Sequence, residues 1–109
     1  MPVTENGPQR AAFTLTVRPD RIDDYVAAHA AVWPEMLAAL RAAGFRNYTI
    51  FRNGTQVFGY FEADDVPAAL DAMAASPINT VWQDRMADLL ERRVDDAGPA
   101  LLPEVFRLD

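Results

Sequence analysis

Between Arg10 and Arg18 the apolar residues Phe13, Leu15 and Val17 alternate with Ala12, Thr14 and Thr16, the two-residue period of a strand with two unlike faces. The period then changes. Ile22, Val26, Ala30, Trp33, Leu37 and Leu40 recur at three- and four-residue steps, which predicts a long helix laying one apolar stripe on a sheet. Pro19-Asp20 opens that helix, Asp23 and Asp24 suit the positive end of its dipole, and Gly44 closes it. Pro34 has no amide hydrogen to give the carbonyl of Ala30, so a kink is expected there.

Asn53-Gly54, between apolar runs at Phe45 to Arg52 and Thr55 to Glu62, is a strong short-range hairpin signal. In that register Tyr48, Ile50, Val57, Gly59 and Phe61 share one face, while Phe45, Asn47, Thr49, Phe51, Phe58 and Tyr60 share the other. Gly59 then stands opposite Tyr48, leaving either open space beside the ring or aromatic packing over the glycine. Asp64 to Ala75 reads as a short Ala-rich helix, and Ser76-Pro77 supplies a cap and a first-turn proline for another running toward Arg93. Leu101 to Leu108 reads as a closing strand. Residues 1–9, polar and rich in Pro and Gly without periodicity, read as a flexible N-terminal arm, leaving 10–109 as a single domain.

The order strand, helix, two strands, helices, strand predicts an α+β domain: a ferredoxin-like antiparallel sheet with helices on one face, the split βαβ arrangement. Both faces of the hairpin carry aromatic groups, but helices cover only one. The second face therefore needs another cover, most simply the same face of a second copy, and a homodimer is expected.

Composition narrows the chemistry. The chain has 109 residues and a net charge of −6, with no basic patch to hold a nucleic acid. All ten basic residues are arginine, which excludes a Schiff-base lysine, and without cysteine there is no thiolate nucleophile or sulfur-bearing metal site. One histidine without carboxylates at ligand spacing supplies too few groups for a metal, and no phosphate loop or dinucleotide fingerprint is present. The start has no basic end followed by an apolar stretch, and no later run is long enough to cross a bilayer, so no membrane contact and a cytoplasmic location are expected.

His29 is the sole histidine and the only side chain with an unperturbed pKa near neutrality, the natural proton-transfer candidate. An isolated helix histidine is more often simply held by hydrogen bonds, but the neighbours here shift that balance. Tyr25, His29 and Trp33 fall at four-residue steps and place a phenol, an imidazole and an indole in one row. Aromatic faces beside hydrogen-bonding groups suit a sugar, which shows apolar C–H faces and a ring of hydroxyls.

The run His29-Ala30-Ala31-Val32-Trp33-Pro34-Glu35-Met36 resembles the L-rhamnose mutarotase family, whose first helix carries His, three residues, then Trp-Pro-Glu and an apolar residue. The resemblance extends to Tyr25, to Asn47-Tyr48 and to Glu104-Val105-Phe106. It implies a dimeric α+β barrel that interconverts the α and β anomers of a free sugar without a cofactor. It further implies His29 as the catalytic acid and Tyr25, Tyr48 and Trp82 as lining of the sugar pocket. Arg46, on the Tyr48 face, is a weaker polar candidate. Two departures stand out. Val81-Trp82 occupies the place of adjacent family tryptophans, which makes Val81 a candidate for a widened pocket wall. The family's Asn-Pro-Asp-Asn-Ser-Pro loop is replaced by Val94-Asp95-Asp96-Ala97-Gly98-Pro99. L-rhamnose, or a related 6-deoxy sugar such as L-fucose, is the expected monosaccharide. The same architecture also hosts oxygenases and haem-handling proteins, and a non-catalytic sugar-sensing module is a further alternative.

Overall fold

A computed structural model describes residues 8–95 and 98–108. The arm expected over residues 1–9 lies outside the described residues up to position 7, whereas Gln9 already begins the first strand, β1 (Gln9–Thr16). A 3-10 turn over Pro19–Arg21 leads into α1 (Ile22–Ala30), followed by α2 (Pro34–Ala43) and the hairpin of β2 (Arg46–Asn53) and β3 (Gln56–Ala63). Two further helices, α3 (Val66–Ala74) and α4 (Pro77–Ala87), complete an α+β fold. The sheet is antiparallel with order β1-β3-β2, so β3 is central.

The expected kinked helix is instead two helices. The residue before a proline is pushed out of the helical region by the proline ring, and Trp33 accordingly adopts φ −59°, ψ 137°. The buried side follows the predicted stripe only in part, with Ile22, Trp33 and Leu40 packed on the core. Tyr25, Ala28 and Met36, outside that stripe, are buried, while Val26 is exposed and Leu37 is partly open at the wall of the cavity described below. Gly44, at φ 101°, closes α2 in the left-handed conformation, its amide donating to the Arg41 carbonyl at 3.0 Å.

Asp65 caps α3 by accepting from the Ala68 amide at 3.0 Å. Ser76 does not cap α4 with its side chain, and that helix stops at Ala87 rather than continuing toward Arg93. The chain turns there to bury Leu89 and Leu90, and Leu90 bridges Val17 at the end of β1.

Val57, Phe61 and Ala63 on β3, with Ala11 and Phe13 on β1, point into the helices and form the core with Tyr25, Met73, Trp82 and Met86. On the opposite face Phe51 and Phe58 are direct cross-strand partners, 67% and 44% exposed. One irregularity rearranges the predicted faces. Between Arg46 and Thr49 the register of β2 slips by one residue, with Asn47 at φ 52°, a bulge that sets Asn47 and Tyr48 together against Phe61. Phe45, expected on the outer face, thereby stacks on Phe61 at 4.2 Å inside the helix layer.

The predicted closing strand does not form a ladder among the described residues. Leu102 donates one backbone hydrogen bond to the Ala12 carbonyl at 2.7 Å, and Arg10 pairs with Glu104 at 2.6 Å. Pro103 lacks a donor in the middle of the segment, which interrupts pairing, and Val105, Phe106 and Leu108 remain exposed.

Candidate active site

Between the helix layer and the inner face of the sheet lies a cavity of about 380 Å³, within the size range of small-molecule sites. Its wall combines apolar groups such as Met36, Phe45 and Ile50 with His29, Asn47, Tyr48, Asn79, Trp82 and Gln83. A smaller chamber of about 60 Å³ adjoins it, lined in part by Tyr25, His29, Tyr48 and Trp82. Tyr25, His29, Tyr48 and Trp82, proposed from sequence and carried on α1, β2 and α4, thus converge on one place.

Helix α1 delivers Tyr25 and His29 one turn apart, with ring centroids 4.2 Å apart. His29 Nδ1 lies 2.9 Å from the Tyr25 carbonyl oxygen. A carbonyl only accepts, so the Nδ1 position carries the hydrogen and Nε2 of the neutral ring carries the lone pair. Trp82 also meets the imidazole edge-on at 5.4 Å, and Trp33 in turn meets Trp82 edge-on at 5.1 Å. The helix break at Pro34 takes Trp33 off the predicted row, yet its ring still buttresses the site from behind Trp82.

Burial sets the protonation states. It lowers the His29 pKa below the usual imidazole value, opposed by the hydrogen bond to Tyr25, so the ring is neutral at pH 7. It raises the Tyr25 phenol to about 12. Tyr48 is 38% exposed along surface that borders the cavity, but its phenol is shielded from bulk water. Burial first, then the nearby Tyr25 phenol, push its pKa well above the ordinary value. The site therefore holds one neutral base and two protonated phenols, groups that can exchange a proton and hold hydroxyls.

Three expectations change here. Val81 is 53% exposed and borders neither cavity, because α4 turns its other side inward. The inward neighbour of Trp82 is Gln83. Arg46 is engaged away from the cavity by Asp64 at 2.8 Å and lines neither chamber. Gly59 stands opposite Ile50 and Phe13 rather than Tyr48, and no open space lies over it: a Cβ there would sit 2.1 Å from the Phe13 ring. Aromatic packing over the glycine is the reading that holds, with Phe13 meeting Tyr48 edge-on at 6.3 Å. Of the departing loop, Gly98 and Pro99 line the main cavity, while residues 96–97 lie outside the described residues.

The sequence reading missed Asn79 and Gln83, whose four-residue spacing on α4 places them on one side of that helix, toward the cavity. Among the described residues no group of three or more His, Cys, Asp and Glu side chains is placed to hold a metal. No helix there is long and apolar enough to cross a membrane.

A family profile described as L-rhamnose mutarotase matches residues 10–108. The chain belongs to the L-rhamnose mutarotase family. Members of this isomerase family similar to it include the L-rhamnose mutarotase of Oceanobacillus iheyensis, 38% identical over 93% of this chain and 99% of that protein. That of Enterococcus faecalis is 37% identical, covering 91% and 98% of the two chains. The crystal structure of an L-rhamnose mutarotase from Formosa agariphila superposes with a TM-score of 0.73 at 27% identity, covering 93% of this chain and 99% of that one. Coverage this complete means that the whole domain, rather than a shared motif, carries the likeness.

Proposed function

We propose that the protein interconverts the α and β anomers of L-rhamnose or a related 6-deoxy sugar such as L-fucose, with His29 as the proton shuttle. The observation that carries this reading is the Nδ1 contact of His29 with the Tyr25 carbonyl, which leaves a neutral, lone-pair-bearing Nε2 on a ring that borders the cavity.

Mutarotation needs only proton transfer. The anomeric hydroxyl gives its proton to His29 Nε2, its oxygen forms the C1 carbonyl as the bond from C1 to the ring oxygen breaks, and the imidazolium returns the proton to the ring oxygen. Rotation about the C1–C2 bond presents the other carbonyl face, and the same steps in reverse close the ring. A positioned acid or base contributes roughly 10²–10⁴-fold, a useful gain for a reaction that already proceeds slowly in water.

In this reading Tyr25 and Tyr48, held protonated by burial, hold sugar hydroxyls, and Trp82 packs on the C–H face of the ring. The protein acts as a homodimer, a reading supported by the exposed pair Phe51 and Phe58 on the uncovered sheet face. The reaction calls for no cofactor. Saturation-transfer NMR between anomers tests the activity on L-rhamnose and L-fucose; exchange faster than in buffer is expected for at least the first, and uncatalysed rates for both would refute it.

A further inference from the structure

Gln83 borders both the main cavity and the adjoining chamber, and its amide is oriented by a chain of bonds that begins at a group with only one role. The Met73 carbonyl oxygen can only accept, so the Nδ2 of Asn79 donates to it, at 3.0 Å. That contact turns Asn79 Oδ1 toward Gln83, whose Nε2 donates to it at 3.1 Å. Asn79 is 3% exposed, so this relay is anchored in the core rather than on the surface. With one Nε2 hydrogen given to Asn79, the amide is held in a single orientation, and Oε1 is its accepting end.

An oriented amide oxygen differs in kind from the other polar groups of the site. A phenol rotates its hydrogen and serves as donor or acceptor, so Tyr25 and Tyr48 tolerate either partner. Oε1 only accepts, and it is satisfied only by a donor such as a hydroxyl. A site built to hydrogen-bond a substrate hydroxyl discriminates strongly against the analogue that lacks it, because the protein group is then left unpaired.

Resting on the mutarotase reading, we propose that Gln83 is a specificity-determining residue that reads one sugar hydroxyl through Oε1, while Trp82 beside it covers the apolar face of the ring. The test measures anomer exchange, and affinity by titration, for L-rhamnose and its 2-, 3- and 4-deoxy derivatives in the wild-type protein and in Gln83→Met, which keeps length but removes the amide.

Wild type should handle one of the three derivatives roughly tenfold less well than L-rhamnose beyond the loss seen with the other two. Gln83→Met should close that gap, through a higher KM for L-rhamnose, and leave the other ratios as they were. The same ratios across the panel in wild type and in folded Gln83→Met overturn the assignment. So does a wild-type protein that handles all four sugars equally, a result that needs no variant. Absence of exchange with every sugar refutes the activity instead, and the role of Gln83 is then decided by the same ratios taken from the affinities.

Discussion

The imidazole of His29 stands one helical turn from Tyr25 and donates its Nδ1 hydrogen to the Tyr25 main-chain oxygen, 2.9 Å away. The hydrogen bond costs the site no side chain, because the acceptor is a backbone carbonyl within the same helix. It fixes both the tautomer and the tilt of the ring, and burial between the Tyr25 and Trp82 rings keeps that ring neutral.

The protonation states predict the pH profile. His29 acts first as a base, so activity should fall as pH drops through its lowered pKa, with the acid limb below the ordinary histidine value of about 6.5. The raised phenol of Tyr25, at about 12, places no second limb near pH 10. Exchange rates from about pH 4.5, two units below the ordinary histidine value, to about pH 10.5, just above the ordinary phenol value, check both expectations. An acid limb above 6.5 would contradict the buried neutral imidazole.

Gly59 supports the site from beneath. Replacing it with alanine drives a Cβ into the Phe13 ring, which is buried and touches Tyr48 edge-on. Gly59→Ala should lower stability by about 1–3 kcal/mol, read from the urea midpoint. A midpoint equal to that of wild type would show that Phe13 yields freely.

The outer sheet face makes a different prediction. Phe51→Asp places a carboxylate beside Phe58, and if two copies meet there the charge is buried without a partner, at a cost of several kcal/mol. Light scattering should show a dimer for wild type and monomers or aggregates for the variant. An unchanged dimer would mean that another surface makes the contact.

Val81 supplies a negative control within α4. Because it faces outward, Val81→Trp should leave the ratio of exchange rates for L-rhamnose and L-fucose unchanged. A shifted ratio would place position 81 at the sugar after all.

Much of this arrangement was legible in the sequence, and the failures share a cause. Asn53-Gly54 marked the hairpin but not its exact turn: Asn53 still pairs with Gln56 as the last residue of β2, and the two turn residues are Gly54 and Thr55, with Gly54 supplying the positive φ of 61°. Pro34 announced an interruption, but a proline reports the lost donor more clearly than the conformation of the residue before it, so a kink was expected where Trp33 ends the helix altogether. Phase was harder to read. Val26 and Leu37 fit an apolar stripe as well as Ala28 and Met36 do, and which set is buried depends on tertiary packing. The same uncertainty pointed to Val81 instead of Gln83. On β2 nothing in the composition of Asn47-Tyr48 marks the bulge, yet that single extra residue moves Phe45 across the sheet, while the turn, one residue later than Asn53-Gly54 implied, sets Ile50 rather than Tyr48 opposite Gly59. Leu101 to Leu108 has the apolar content of a strand, but content does not supply the donor that Pro103 lacks.

The central claim is that one histidine moves the proton, and its most direct test is the exchange rate between the anomers of L-rhamnose with His29→Ala set against wild type. His29 is only partly buried at the cavity wall, so the variant should keep its fold by circular dichroism. We predict that the catalysed rate falls at least about 10²-fold, toward the rate in buffer alone. A folded His29→Ala protein that exchanges the anomers as fast as wild type would contradict the account.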